Sequence, residues 1–497
     1  MKSFIAPLLE ALIKHRESMK AGFHVPGHHY GQALQAMQHL NIRSDPAKYF
    51  SAIMELDVTE LDSTDDLHHP EASIKEAQLL AASCFQSEET YFLVGGSTAG
   101  NMALILTICD QNDIVIVQRN VHKSIINGLK LAGAKAVFVT PEHEPKSGLA
   151  TVPSIIYVQQ ALEKYPHAKA LILSTPNYYG INTPMKSYAE LAHRYDIPLI
   201  VDEAHGAHYG LHPQFPTSAL AAGADAVVQS AHKTLAAMTM GAMLQIQNSR
   251  INRAELRQTL SMIQSSSPSF PIMASLDISR AMIDALGEEM FEQSLKQASM
   301  LRQWLKDSQT ALQLLEPQDH NYTYDPLRIM LYDQSGTLTG FDIQQRLQEQ
   351  GCWIEMADPI YAVLVIGIQT SEEDVEKLQA AIHSIQSIAI PGKRDVLHSL
   401  NCNLSRDNMI SEPVAFTRKP FKNKKSITVD LGKSEHLISA EMVVPYPPGI
   451  PVLYEGERIT KAVIEQCERL SKAGARFQGS KNGVMDKIEV YEEKPDT

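Results

Sequence analysis

The chain has 497 residues, 44% of them apolar and 20% charged, with a net charge of −13. That is ordinary soluble composition, too long for one core and suited to about two to four domains. The acidic balance argues against a general nucleic-acid binder, and no apolar run approaches the ~20 residues of a membrane helix. The cysteines, Cys84, Cys109, Cys352, Cys402 and Cys467, form no CxxC pair and suit a reducing cytoplasm. Residues Met1 to Lys20 lack the continuous apolar core and cleavage site of a signal peptide, so a soluble cytoplasmic protein is expected.

Ile5, Leu8, Leu9, Leu12 and Ile13 recur at helical spacing and predict an amphipathic helix over residues 3–20. Phe23-His24-Val25-Pro26-Gly27-His28-His29-Tyr30-Gly31 comes next. No carboxylate or cysteine stands at ligand spacing from its imidazoles, so no metal is expected. Residues 57–70 carry Asp57, Glu60, Asp62, Asp65 and Asp66, then His68 and His69. They read either as a solvated acidic loop or as a cation-attracting wall. A helix is predicted over Ile74 to Phe85 and a strand over Tyr91 to Val94. The turn Gly95-Gly96-Ser97-Thr98-Ala99-Gly100-Asn101 then leads into a helix from Met102 to Cys109. Its glycines let a ligand approach the backbone, and a helix N-terminus offers N–H groups to a phosphate beside the hydroxyls of Ser97 and Thr98. The spacing is not GxGxxG, which argues against a dinucleotide site, and a plain tight turn is the other reading.

Strands are predicted at residues 113–118, 134–140, 168–174, 197–202, 224–229 and 242–247, most of them separated by helical patterns such as 123–131, 155–165 and 188–195. Such alternation means a mostly parallel α/β sheet, and ligands bind at the carboxyl ends of its strands. Ser97, Thr98, His122, Thr175, Asn177, Asp202, His205 and Ser230 to Lys233 all fall at those ends. After Pro271 the pattern becomes a smaller α+β domain, with helices at 272–286, 290–305 and 372–385 and strands at 326–331, 352–355 and 361–366. A weakly patterned connection over 386–411 precedes a C-terminal α+β module with a strand at 426–431, a proline-rich turn at 444–451 and a helix at 460–473. The basic run Arg418, Lys419, Lys422, Lys424, Lys425 reads as a solvated face. Four segments are therefore expected: 1–70, an N-terminal helix and active-site or dimer segment; 71–271, the large domain; 272–395, the small domain; and 396–497, the C-terminal domain.

Lys233 comes just after a buried strand, beside the hydroxyl of Ser230 and the imidazole of His232. Desolvation and a neighbouring cation ease the loss of its proton, and a neutral amine can form a Schiff base with a carbonyl cofactor. A lysine, a phosphate cradle and a carboxylate at strand ends together suit pyridoxal 5′-phosphate. Asp202 would pair with the pyridine nitrogen and keep the ring an electron sink, His122 would stack on the ring, and Ser230 and His232 would reach the phosphate.

The motifs Phe23-His24-Val25-Pro26-Gly27-His28, Thr64-Asp65-Asp66-Leu67-His68, Gly96-Ser97-Thr98, Asn120-Val121-His122-Lys123-Ser124, Asp202-Glu203-Ala204-His205-Gly206, Ser230-Ala231-His232-Lys233-Thr234 and Pro445-Tyr446-Pro447-Pro448-Gly449-Ile450-Pro451 carry a resemblance. Over nearly its whole length the chain resembles the Orn/Lys/Arg decarboxylases, in the short bacterial form without an N-terminal wing domain. The resemblance implies the aspartate-aminotransferase-like fold (pyridoxal-phosphate fold type I) and decarboxylation of a basic amino acid, arginine before lysine and ornithine. It implies Lys233 as the cofactor-carrying lysine, Asp202 as the nitrogen partner and His122 as the ring-stacking residue. Ser97, Thr98, Ser230 and His232 then lie at or near the phosphate, and His205 beside the cofactor. The active site would be shared across a homodimer or higher oligomer. Carboxylates would select a cationic side chain; the candidates are Asp65, Asp66, Glu355 and Asp358. Two departures, His28-His29 where the family has His-Lys and Leu235-Ala236-Ala237-Met238 where a proline or glycine is common, bear on substrate preference. An aminotransferase or aldolase on the same scaffold, or a non-catalytic cofactor-binding relative, are the competing readings.

Overall fold

The computed structural model describes residues 3–18, 21–37, 44–308, 310–316, 319–385, 409–417, 425–446, 450–472, 474–478 and 485–492. The chain divides into two compact units, Met1–Cys109 with Met185–Met290, and Asp110–Pro184 with Phe291–Thr497. It opens with α1 (Pro7–Ser18), α2 (Ala47–Met54), α3 (Ser73–Phe85), β1 (Glu89–Leu93) and α4 (Gly96–Ile108). Next come β2 (Ile114–Gln118), α5 (Lys123–Ala132), β3 (Lys135–Val139), α6 (Ile155–Lys164), β4 (Leu171–Ser174) and β5 (Ile181–Asn182). The chain returns to the first unit with α7 (Lys186–Arg194), β6 (Leu199–Asp202), β7 (Ala226–Gln229), α8 (Ala231–Thr234), β8 (Ala242–Ile246), α9 (Arg253–Ile263) and α10 (Phe270–Leu286).

In the first unit the strand order is β1-β8-β7-β6. β6 and β7 are parallel, with Asp202 opposite Val228, whereas β8 runs antiparallel to both β7 and β1. β1, β6 and β7 therefore point the same way, and their carboxyl ends share one edge. Every residue of β6, β7 and β8 is buried, which is why these strands read as near-continuous apolar runs rather than alternating ones. α4 lies hard against the sheet: a Cβ added at Gly100 would stand 2.7 Å from Leu93 Cδ1 and 3.1 Å from Val228 Cγ1. α1 is pinned to α10 by the Leu8 N–H, which donates to Asp277 Oδ2 at 2.9 Å. Asp277 in turn pairs with the buried Arg280.

The second unit has strands in the order β4-β2-β3-β14, where β14 is Val414–Ala415. β2 is parallel to β3 and β4, and β14 is antiparallel to β3. Its other elements are α11 (Glu289–Asp307, which begins in the first unit), β9 (Leu312–Leu314), β10 (Thr323–Tyr324), β11 (Arg328–Asp333), α12 (Gly340–Glu349), β12 (Met356–Ala357), β13 (Ala362–Val365) and α13 (Glu372–Ser384). β12, β13, β11 and β9 form an antiparallel sheet. The C-terminal part adds β15 (Ser426–Asp430), β16 (Val444–Tyr446), α14 (Lys461–Lys472), β17 (Arg476–Gln478) and β18 (Lys487–Tyr491) around Leu431, Leu453, Ile459, Cys467 and Ile488. The class is the expected one: α/β with mostly parallel pairing around the central strands, followed by smaller α+β parts.

Several local expectations change. α4 begins at Gly96, not Met102, because packing against the sheet outweighs the poor helix propensity of Gly-Ser-Thr. The strand expected at Cys352–Glu355 does not form; Gly351 adopts φ +79 after α12, residues 352–354 leave as coil, and the short strand is Met356–Ala357. α2, α9 and α12 are not among the expected elements. Residues 386–408, the basic positions Arg418, Lys419, Lys422 and Lys424, and Pro447, Pro448 and Gly449 of the proline-rich turn lie outside the described residues. Among the described residues no helix is long and apolar enough to cross a membrane, and no cluster of three metal-ligating side chains converges.

Candidate active site

The carboxyl edge of β1, β6 and β7 collects most of the expected site residues in the first unit. After β1, Gly96 takes φ +70, a backbone conformation natural to glycine, and its N–H donates to Met240 O at 2.9 Å. That turn sets Ser97 in the first turn of α4, where its hydroxyl hydrogen-bonds that of Ser230. Thr98, beside it, is exposed. Ser230 leads into the single helical turn α8, whose Lys233 N–H donates back to Ser230 O at 3.1 Å. His232 is held by two contacts to Gly241 O, from its backbone N–H at 3.1 Å and its Nδ1 at 3.0 Å.

The Lys233 amine ends 3.0 Å from His205 Nε2. His205 is buried three residues beyond Asp202, which is 4% exposed at the end of β6. Asp202 Oδ2 accepts a hydrogen bond from Asn101 Nδ2 at 2.9 Å, and Oδ1 accepts from the Ala204 N–H at 3.3 Å. Behind it Glu203 is completely buried, accepting from the Ala219 N–H at 2.7 Å and from Gln229 Nε2 at 2.8 Å. Burial pushes its carboxyl up to about 8, against the opposing pull of those two donors. Sequence reasoning missed Asn101 and Glu203. The first is four residues past Ser97, on the same helix face, and the second is the neighbour of Asp202, so spacing alone held the signal.

His122 belongs to the second unit. It caps α5, with Nδ1 accepting from the Ser124 N–H at 3.2 Å. Asn177 is tied into its own turn: Nδ2 donates to Ala150 O, while Oδ1 accepts from the N–H groups of Tyr179 and Ile181. The acidic candidates are divided between the two units. Asp65 and Asp66 are in the first unit, Glu355 and Asp358 in the second. Burial opposes the charge on Asp65, but the N–H groups of Glu71, Asp66, Ala72 and Ile74 outweigh it and hold its carboxyl below the ordinary range. That carboxylate anchors the N-terminus of α3. Asp358 accepts from the Tyr179 hydroxyl and from the N–H groups of Ile360 and Tyr361, and desolvation pushes its pKa up. Asp66 Oδ1 accepts from the His68 N–H at 2.8 Å, and Glu355 is exposed.

The donor set fits pyridoxal phosphate. Paired hydroxyls at a helix N-terminus suit a phosphate, an amine beside an imidazole suits an aldehyde, and a buried carboxylate suits a pyridine nitrogen. Residues 6–374 match the family model for the Orn/Lys/Arg decarboxylase major domain, and residues 405–487 match that for its C-terminal domain. The chain belongs to the Orn/Lys/Arg decarboxylase family. As a member it is a carboxy-lyase for basic amino acids whose cofactor is pyridoxal 5′-phosphate, which sets aside the aminotransferase and aldolase readings. The uncharacterized protein YaaO of Bacillus subtilis (strain 168) is 37% identical over 98% of this chain and 99% of its own length. An arginine decarboxylase of Bacillus anthracis is 30% identical, covering 99% of this chain and 98% of the relative. The Francisella novicida lysine decarboxylase LdcF shares the fold, with a TM-score of 0.81 at 19% identity over 99% of this chain and 82% of that one.

Proposed function

We propose that this decarboxylase removes the α-carboxylate of arginine, releasing CO2 and the amine, with lysine and then ornithine as the next choices. The order rests on the near full-length similarity to the Bacillus anthracis arginine decarboxylase. The observation that carries the chemistry is the 3.0 Å contact of Lys233 Nζ with His205 Nε2 at the edge that also holds Asp202.

When bound, pyridoxal phosphate supplies the electron sink for the pair left on the substrate α-carbon as CO2 departs. Lys233 would hold the cofactor at its aldehyde. His205 Nε2 accepts the proton that Lys233 Nζ must lose before its lone pair is nucleophilic, and can return it. Asp202 would pair with the ring nitrogen and keep a proton there. Ser97, Thr98, Ser230 and His232, with the N–H groups opening α4, would hold the phosphate. The role of His122 at the ring face rests on the family resemblance alone. Asp65, tied to nearby backbone N–H groups, and Asp358, tied to the Tyr179 hydroxyl and its own turn, are set aside as selectors of the cationic side chain; Asp66 and Glu355 remain. A homodimer or higher oligomer in the cytoplasm is part of the same proposal. Incubating the cofactor-loaded protein with arginine, lysine and ornithine, and measuring CO2 and product mass, tests it. Lysine outpacing arginine overturns the order, and a keto acid product overturns the reaction.

A further inference from the structure

Asn101 is a buried polar residue, 1% exposed, on the second turn of α4. Its amide meets Asp202 Oδ2 at 2.9 Å. A carboxylate only accepts hydrogen bonds, so the nitrogen end of the amide must face it. Asp202 ends β6, and the Ala204 N–H already meets its other oxygen, Oδ1, at 3.3 Å. A carboxylate this deeply buried needs donors on both oxygens, and Asn101 supplies a donor to Oδ2.

We propose that Asn101 is a positioning residue for the decarboxylation: it fixes the rotamer of Asp202 and so aims that carboxylate at the cofactor's ring nitrogen. The inference rests on the assignment of Asp202 to that nitrogen. Ser97 and Asn101 are four residues apart, on one face of α4 and about 6 Å apart along its axis. One rigid helix thus addresses two ends of the same cofactor, with a hydroxyl for the phosphate and an amide for the acid behind the ring. Gly100, where a Cβ would meet Leu93 Cδ1 at 2.7 Å, lets the helix come close enough to the sheet for that amide to reach β6.

The test uses Asn101→Asp, which keeps the shape but replaces the donor with an acceptor, and Asn101→Ala, which removes the donor without adding charge. Each variant and the wild type are titrated with pyridoxal phosphate as apoenzyme. The visible band of the loaded protein is then followed against pH, and kcat and KM are measured separately. Loss of a hydrogen bond to a charged group predicts a kcat lower by about 10- to 100-fold with KM within about threefold. The cofactor dissociation constant rises about tenfold, and the pH midpoint of the visible band moves by about one unit. If Asn101→Asp does not fold, by circular dichroism of the apoenzyme, Asn101→Ala decides by the same readouts. Variants that lose only melting temperature, keeping the wild-type band, midpoint and kcat, make Asn101 a packing residue and overturn the inference. A wild type that develops no visible band defeats the cofactor-site assignment itself, a distinguishable failure.

Discussion

Glu203 lies completely buried one residue beyond Asp202, with its carboxyl raised by burial from 4.5 to about 8. Replacing it with Gln removes the ionisation and keeps the shape. In the wild type the native state holds a proton on Glu203 through an interval in which the unfolded chain has lost it. The stability from the protonated form is therefore fully present below about pH 4.5, is lost as pH rises, and is gone above about pH 8. At about 1.4 kcal/mol per pH unit the whole interval amounts to roughly 5 kcal/mol. Any change in the hydrogen bonds to Ala219 and Gln229 adds an offset to the Glu203→Gln variant that does not depend on pH. Paired urea unfolding curves of wild type and variant, from pH 5 to 9, isolate the titrating part. The variant should gain on the wild type from pH 5 up to about pH 8 and then level off. A stability difference that stays flat within about 1 kcal/mol, or a wild type that gains on the variant as pH rises, refutes the reasoning.

Asp202→Ala should still bind pyridoxal phosphate and show a visible band, while turnover falls about 10²-fold or more; unchanged turnover removes Asp202 from the chemistry. Asp65→Ala unpairs the N–H groups at the start of α3 and should cost about 2 kcal/mol or more in urea unfolding at pH 7. Because the carboxyl of Asp65 is lowered in the folded chain, that cost is present at neutral pH and shrinks as pH falls through its folded value. Gly100→Val drives a side chain into Leu93 and Val228 and should weaken both melting temperature and cofactor affinity, since Ser97 and Asn101 ride on the displaced helix.

The strand-end residues were legible because buried parallel strands advertise themselves as short apolar runs, and the residues after each run are forced to one edge. Ser97, Asp202, His205, Ser230 and Lys233 came from that rule and from motifs. The start of α4 was not legible, since Gly96-Ser97-Thr98 carries turn propensity and becomes helical only against the sheet. α12 was legible in principle: Thr339 and Asp342 form a capping box, a signal that apolar periodicity does not use. The acidic candidates show the opposite limit. Charge alone said nothing of the local partners these carboxylates hold: Asp65 caps a helix, and Asp358 binds Tyr179 and its own turn. Asn101 escaped because an amide within a turn motif says nothing of its partner until β6 is in place.

The central claim is that Lys233 holds pyridoxal phosphate at the edge occupied by Asp202 and His205. Borohydride reduction of the cofactor-loaded protein, then peptide mass mapping, tests it directly. The account predicts a single reduced pyridoxyl adduct on the peptide carrying Lys233 and its absence in Lys233→Ala. An adduct on another lysine, or an unlabelled Lys233 in protein that turns over substrate, contradicts it.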